Sequence, residues 1–136
     1  MSTKIKSISV VSTRILLGLV YFVFGLNFFL HFLPTPPSNG GVADAFTGGL
    51  FQSGYFFPML KGLEVVLGAM LLIGSFVPLA LVVLMPISVN ILLFHIFLAP
   101  DSSVMGIVIV LVQIFLAWAY RSYYNPLFVR KTSISL

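Results

Sequence analysis

Long apolar runs alternate with short polar stretches along the whole chain. Four runs approach the ~20 residues that a helix needs to cross about 30 Å of hydrocarbon. They cover residues 12–33, 55–76, 78–98 and 104–124. None alternates apolar and polar residues over about ten positions, as a membrane barrel strand would. The pattern predicts an all-α fold: a single membrane domain, residues 1–136, built as an integral bundle of four transmembrane helices.

The connections between these runs differ in length and composition. Residues 34–54 begin with prolines and glycines and continue as VADAFTGGLFQ, which predicts a loop containing a short interfacial helix. GSFVP allows only a tight turn. Pro100, Asp101 and Ser102 close the third connection, with Asp101 and Ser102 as candidate caps for the fourth helix. No A-x-A-like site follows the first run, which favours a membrane helix over a cleaved signal peptide.

Composition narrows the class of protein. Hydrophobic residues make up 60% of the chain and charged residues 7%, whereas soluble domains carry about 25% charged residues. The chain contains no cysteine, which excludes disulfide, thiol-redox and thiolate-metal chemistry within it. The basic residues flank apolar runs instead of forming a patch, so the expected partner is the lipid bilayer and no nucleic acid.

The distribution of positive charge predicts the orientation in the membrane. Six of the seven Lys and Arg residues lie towards the two ends of the chain. They are Lys4, Lys6, Arg14, Arg121, Arg130 and Lys131. The longer connections carry only the acidic residues Asp44 and Asp101. The positive-inside rule therefore predicts cytoplasmic N- and C-termini, antiparallel helices and an extracytoplasmic 34–54 loop.

Polar side chains inside the apolar runs gather at one depth. At 1.5 Å per residue, five of them lie about 9–13 Å below the outer edge of the membrane. These five are Asn27, Lys61, Glu64, Asn90 and Gln113. His31 and His95 lie nearer the outer surface, above this layer. The sequence predicts that these seven residues line one ligand-binding pocket in the outer half of the bundle.

Glu64 is the most informative member of this set. It is one of only three acidic residues and lies within an apolar run, where a charge is expensive and normally has a partner or a task. Lys61 precedes it by three positions, which allows an ion pair on one helix face. Alternatively, the long Lys61 stem extends to the surface and leaves Glu64 as a proton or ligand group. Glu64 is the candidate catalytic residue, although the sequence leaves open whether the protein is an enzyme.

The other polar residues also have structural interpretations. Asn27 and Asn90 are residues that can join helices by hydrogen bonds, and His31 suits a solvated anchor. Asn90 and His95 are separated by about 140° of helix rotation, so both cannot point straight inward. A metal site built from His31, His95 and Glu64 is geometrically conceivable, but the sequence predicts no metal.

Three long segments carry a resemblance to a known family. GLVYFVFGLNFFLHFLP, SGYFFPMLKGLEVVLGAMLLIGSFVPLALVVLMPISVNILLFHIFLAP and AYRSYYNPLF resemble the DoxX and DoxX-like family over nearly the whole chain. The matching motif positions are Gly25, Asn27, Pro58, Glu64, Gly68, Pro86, Asn90 and His95. Family members are small four-helix proteins of bacterial membranes, and some are associated with quinone-linked thiosulfate oxidation or oxidative-stress complexes. The resemblance implies a multi-pass protein of the bacterial cytoplasmic (inner) membrane.

Three functions are compatible with these observations. The first is a subunit of a membrane redox or stress system that binds a quinone or another apolar small molecule, with further redox subunits as partners. The second is a proton-coupled carrier or intramembrane enzyme that uses Glu64 on an apolar small molecule. The third is a purely structural membrane partner. No cofactor other than a quinone is expected.

Overall fold

A computed structural model describes residues 2–38 and 40–135, and its regular secondary structure is helical throughout. The α-helices among these residues are α1 (Thr3–Leu30), α2 (Val42–Gln52), α3 (Phe56–Ile73), α4 (Val77–Phe97) and α5 (Ser103–Ala119). Single 3₁₀ turns cover Pro100–Ser102, Arg121–Tyr123 and Asn125–Phe128. No strand occurs among the described residues. In this part of the chain, four helical segments are long and apolar enough to cross a membrane, which confirms the predicted multi-pass, all-helical class.

The ends of α1 differ from the predicted span for local reasons. The helix begins at Thr3, well before residue 12, because the Ser2 side chain caps it by accepting from the Ile5 amide at 3.3 Å. It ends at Leu30, before residue 33, because His31 adopts a left-handed backbone conformation with φ 52°. Pro34, which lacks an amide donor, follows soon after. The chain then leads through the predicted loop region into α2.

Glycines allow α1 and α3 to approach closely. A Cβ atom at Gly68 would lie 2.6 Å from the Phe22 amide nitrogen and 2.9 Å from the Gly18 carbonyl oxygen. Nearer the other end of the contact, a Cβ at Gly25 would lie 2.9 Å from Val65 Cγ2. Small residues permit such contact in membranes, where helix association depends on van der Waals packing. This contact holds α3, and with it Glu64, firmly against α1.

The second close contact joins α4 to α5 and to the C-terminal segment. Gly106 packs against the α4 backbone, where an added Cβ would lie 2.9 Å from Leu92 Cα. At the far end of α4, the Tyr124 hydroxyl donates to the Pro78 carbonyl oxygen at 2.9 Å. Burial raises the pKa of the Tyr124 phenol further above neutral, where the hydroxyl is already protonated and can donate. The segment after α5 is thereby fixed to the start of α4.

The buried core is narrow and the outer faces of the helices are apolar. Leu71, Leu84 and Leu116 are completely buried at the centre of the bundle. In contrast, large apolar side chains such as Val66 and Leu111 are more than half exposed. A protein whose exposed surface is this apolar requires a lipid environment. The bilayer is therefore the partner of the outer helix faces.

Candidate functional site

Glu64 lies inside the bundle and forms an ion pair on its own helix. Its exposed fraction is only 3%. Lys61, one turn earlier on α3, donates from Nζ to Glu64 Oε2 at 2.9 Å. The spacing of three residues gives this contact directly from helix geometry. Lys61 therefore stays with Glu64, and the alternative in which its stem extends away to the surface is not the arrangement found.

The second carboxylate oxygen of Glu64 remains available. Within the described parts of the chain, Oε1 has no hydrogen-bond partner, whereas Oε2 accepts from Lys61. Only one fully enclosed side-chain nitrogen or oxygen there lacks a partner, and it is Arg14 Nε. Oε1 is therefore not fully enclosed, and Glu64 borders the two cavities described below. One oxygen of the carboxylate holds the ion pair, and the other can receive a hydrogen bond from a ligand.

Two cavities adjoin the ion pair, and both are bordered by Lys61, Glu64, Ile91 and His95. The first, which we call the α2 cavity, has a volume of about 240 Å³. Its other lining residues come from α2, α3 and α4 and are mostly aromatic or aliphatic: Phe46, Thr47, Leu50, Phe56, Phe57, Leu60, Asn90 and Phe94. Helix α2 thus forms one wall of this cavity.

The second, which we call the α1–α5 cavity, has a volume of about 200 Å³. Its other lining residues come from α1 and α5: Val20, Tyr21, Phe24, Met105 and Ile109. Together the two cavities place one charged pair between predominantly apolar walls. Small-molecule sites in proteins typically combine apolar walls with a few convergent polar groups in this way.

Asn90 and His95 both border the α2 cavity, as their positions in the predicted pocket require. Asn90 is exposed, whereas His95 is half-buried and its Nδ1 lies 2.8 Å from Ser102 Oγ. Because the two residues are about 140° apart around α4, their side chains have different surroundings. His95 is held by the turn before α5, and Asn90 borders the cavity from α4, where it can contact a ligand.

Asn27 and His31 do not border either cavity. The Asn27 side-chain oxygen accepts from the Leu33 amide at 2.7 Å, so it satisfies the backbone beyond the end of α1. His31 is exposed and provides the left-handed residue that terminates this helix. The prediction for both residues depended mainly on depth, which locates a side chain along the membrane normal but not around the helix. Their role here is to end α1.

Gln113 is fully buried but does not line either cavity. Its Nε2 donates to the Leu81 carbonyl oxygen at 2.8 Å, and its Oε1 accepts from Ser88 Oγ. Ser88 in turn contacts the hydroxyl of Tyr21, which does line the α1–α5 cavity. Gln113 therefore reaches the candidate site only through Ser88 and Tyr21. We call these three residues the polar chain.

Tyr21 and Ser88 were missing from the sequence-based set. A signal for Ser88 existed: counting from the end of the third predicted helix places it about 15 Å deep, nearly level with Gln113. The same count places Tyr21 about 18 Å below the outer end of the first predicted helix, which is too deep for the interfacial position usual for tyrosine. Its partner is 67 positions away in the chain, so only the tertiary arrangement of the bundle brings the two hydroxyls together.

The geometry does not assemble a metal site from the described residues. No group of three His, Asp or Glu side chains there is arranged to hold a metal ion. His31 lies at the end of α1, while His95 and Glu64 border the cavities. The chemistry that this site offers is therefore ion pairing and hydrogen bonding in apolar surroundings.

The comparisons with known proteins add no relative. No protein-family model, no curated protein and no solved structure matches this chain. The resemblance to the DoxX family therefore remains a prediction that depends on the motif residues alone. Functional reasoning accordingly depends on the site itself.

Proposed function

We propose that this protein binds an apolar small molecule of the quinone class in the two cavities beside Glu64. The observation that supports this most strongly is the buried Lys61–Glu64 pair, which borders both cavities while the remaining walls are mostly apolar. A charged pair serving only helix packing would not require open volume next to it. The mixed character suits a ring with polar substituents and an apolar tail.

Each polar group has a defined capacity towards such a ligand. Lys61 carries donors beyond the one given to Glu64, since an ammonium group has three. Glu64 Oε1 is an acceptor that has no partner within the described protein. Phe57 and Phe94 offer aromatic surfaces for a flat ring. The site would therefore orient the polar end of the ligand towards α3 and its ring against α2 and α4.

The DoxX-like motifs also suggest where the protein acts in the cell. They support a place in the bacterial inner membrane, as a subunit that holds a quinone for redox partners. In this role Glu64 would be a binding residue, and a catalytic role would arise only if the bound molecule were converted. The alternatives predict different results: a proton-coupled carrier or enzyme would bind another apolar molecule, and a purely structural partner would bind none.

Mass spectrometry of molecules that co-purify with the protein in mild detergent tests the proposal. We expect a quinone or quinol in the wild-type preparation and its loss in Glu64→Gln, which keeps the shape of the side chain but removes its charge. A matched control is Asn27→Ala, because Asn27 borders neither cavity. A bound sterol or amine would favour the carrier or enzyme, and an empty wild-type preparation would favour the structural partner.

We further propose an antiparallel bundle with both termini in the cytoplasm. Support comes from the charge distribution and from contacts: Gly18 meets Leu71 while Gly25 meets Val65, so numbering rises along α1 as it falls along α3. Reporter fusions after residue 136 and within residues 34–38 test the orientation. Cytoplasmic activity from the first and periplasmic activity from the second are expected, and the reversed result would contradict the proposal.

A further inference from the structure

The hydrogen bonds of the polar chain can run in only one direction. The Leu81 carbonyl oxygen can only accept, so the Gln113 group beside it must be the amide NH₂. Gln113 Oε1 consequently faces Ser88 and can only accept, which requires Ser88 to donate its single proton. The contact between Ser88 and Tyr21 then needs a proton from Tyr21. The order is therefore Tyr21 to Ser88 to Gln113, and it is fixed by a backbone carbonyl.

This direction determines what Tyr21 can offer at the cavity. Because its only hydroxyl proton is used by Ser88, the phenol oxygen can act towards a ligand solely as an acceptor. Tyr21 is 2% exposed and Ser88 and Gln113 are fully enclosed, so water does not compete for these bonds. In such surroundings successive hydrogen bonds also reinforce one another. The polar chain thus commits the Tyr21 proton to Ser88 and leaves none to donate to a ligand in the α1–α5 cavity.

Glu64 adds a second acceptor at the same cavity. Its Oε1 has no partner within the described residues, and the α1–α5 cavity is bordered by both Glu64 and Tyr21. We infer that this site selects a ligand with a hydroxyl donor, so that a quinol binds in preference to the corresponding quinone. The inference depends on the proposed function and adds the redox form of the ligand. The hydroxyl oxygen would remain free to accept from Lys61.

A matched pair of probes measures this preference without redox chemistry. 4-Butylphenol carries a hydroxyl donor, and 4-butylanisole replaces that proton with a methyl group. We expect the wild-type protein to bind the phenol at least about tenfold more tightly, the effect of one well-placed hydrogen bond to an acceptor in apolar surroundings. Thermal-shift titrations in one detergent give the ratio, and partition into micelles cancels when variants are compared.

Ser88→Ala tests whether the polar chain sets the preference. The change removes the acceptor that holds the Tyr21 proton, so the phenol hydroxyl can turn and donate into the cavity. We expect the phenol-to-anisole ratio to fall by about threefold from the wild-type value, since Glu64 remains as an acceptor. Tyr21→Phe should also lower the ratio, because it removes one acceptor outright. Ser12→Ala, which alters an exposed serine that donates to Ile8 on α1, should leave the ratio unchanged.

The outcomes separate this inference from the proposed function. Equal binding of both probes by the wild-type protein would overturn the donor preference while leaving a binding site in place. A wild-type ratio retained in both Ser88→Ala and Tyr21→Phe would show that the polar chain does not set it, which also overturns the inference. Absence of binding by either probe would contradict the proposed function and the inference together.

Discussion

Replacing Lys61 alone by methionine is expected to lower the free energy of unfolding by about 3–5 kcal/mol. The change would leave the Glu64 carboxylate, 3% exposed, without its partner at 2.9 Å. Removing one member of a buried pair is costly because the desolvated charge that remains is no longer compensated. Unfolding in mixed detergent micelles, followed by circular dichroism, measures the effect. Lys6→Met, at an exposed position of α1, is the control and should change stability little.

The double replacement Lys61→Met/Glu64→Met is expected to recover most of that loss, because no uncompensated charge remains and the side chains keep similar volumes. It should nevertheless abolish ligand binding, since both charged groups that border the cavities are lost. Additive costs of the two single changes would indicate that the charges do not stabilise each other. If the double variant still bound the ligand, Lys61 and Glu64 would not be binding residues.

Gly68→Ala is expected to destabilise the protein by about 2–3 kcal/mol, at the upper end of the usual cost of overpacking. The added Cβ would lie 2.6 Å from the Phe22 nitrogen and 3.0 Å from its Cα, which are backbone atoms and cannot rotate away. Relief requires α1 and α3 to separate. Because Tyr21 and Glu64 lie on these two helices, the same change should weaken ligand binding.

Gly62→Ala provides a matched control on the same helix. A Cβ there meets nothing within 4 Å, and alanine favours the helical backbone over glycine. We expect unchanged or slightly raised stability by the same denaturation assay. If the two alanine variants were equally stable, the close contact of α1 with α3 would not be a determinant of the fold.

The fold class could be predicted because the membrane imposes it. A helix must be about twenty apolar residues long to cross the hydrocarbon, and this length is visible in the sequence directly. Helix ends were less predictable, since they depend on single local interactions. Because of the Ser2 cap and the left-handed His31, α1 begins and ends at residues other than the limits of its apolar run.

The candidate site was predictable only in part. The Lys61–Glu64 pair follows from spacing on one helix, and His95 and Asn90 from their depth. Depth does not show which way a side chain points around its helix. The prediction therefore could not show that Asn27 and Gln113, although in the same predicted layer, border neither cavity. The polar chain depends on contacts between α1, α4 and α5, and no local pattern in the sequence encodes which hydroxyl meets which amide.

A second candidate site lies at the other end of the bundle. The position at which the ligand binds therefore decides between this site and the cavities beside Glu64. A groove of about 600 Å³ runs between α4 and the segment after α5, where Met85, Pro86 and Phe128 are among its lining residues. It is larger than either cavity beside Glu64, but its walls are almost wholly apolar apart from Arg121 and Asn125. Volume alone would favour this groove, whereas the arrangement of hydrogen-bonding groups favours the cavities.

Photolabelling with a diazirine-bearing benzoquinone probe, applied in both redox forms and mapped by peptide mass spectrometry, compares the two sites directly. We expect the label on α3 and α4 around Leu60, Glu64 and Ile91, with the reduced probe labelling more strongly and an excess of 4-butylphenol suppressing it. Labelling concentrated at Leu127 and Phe128, and unaffected by Glu64→Gln, would contradict a ligand site beside Glu64.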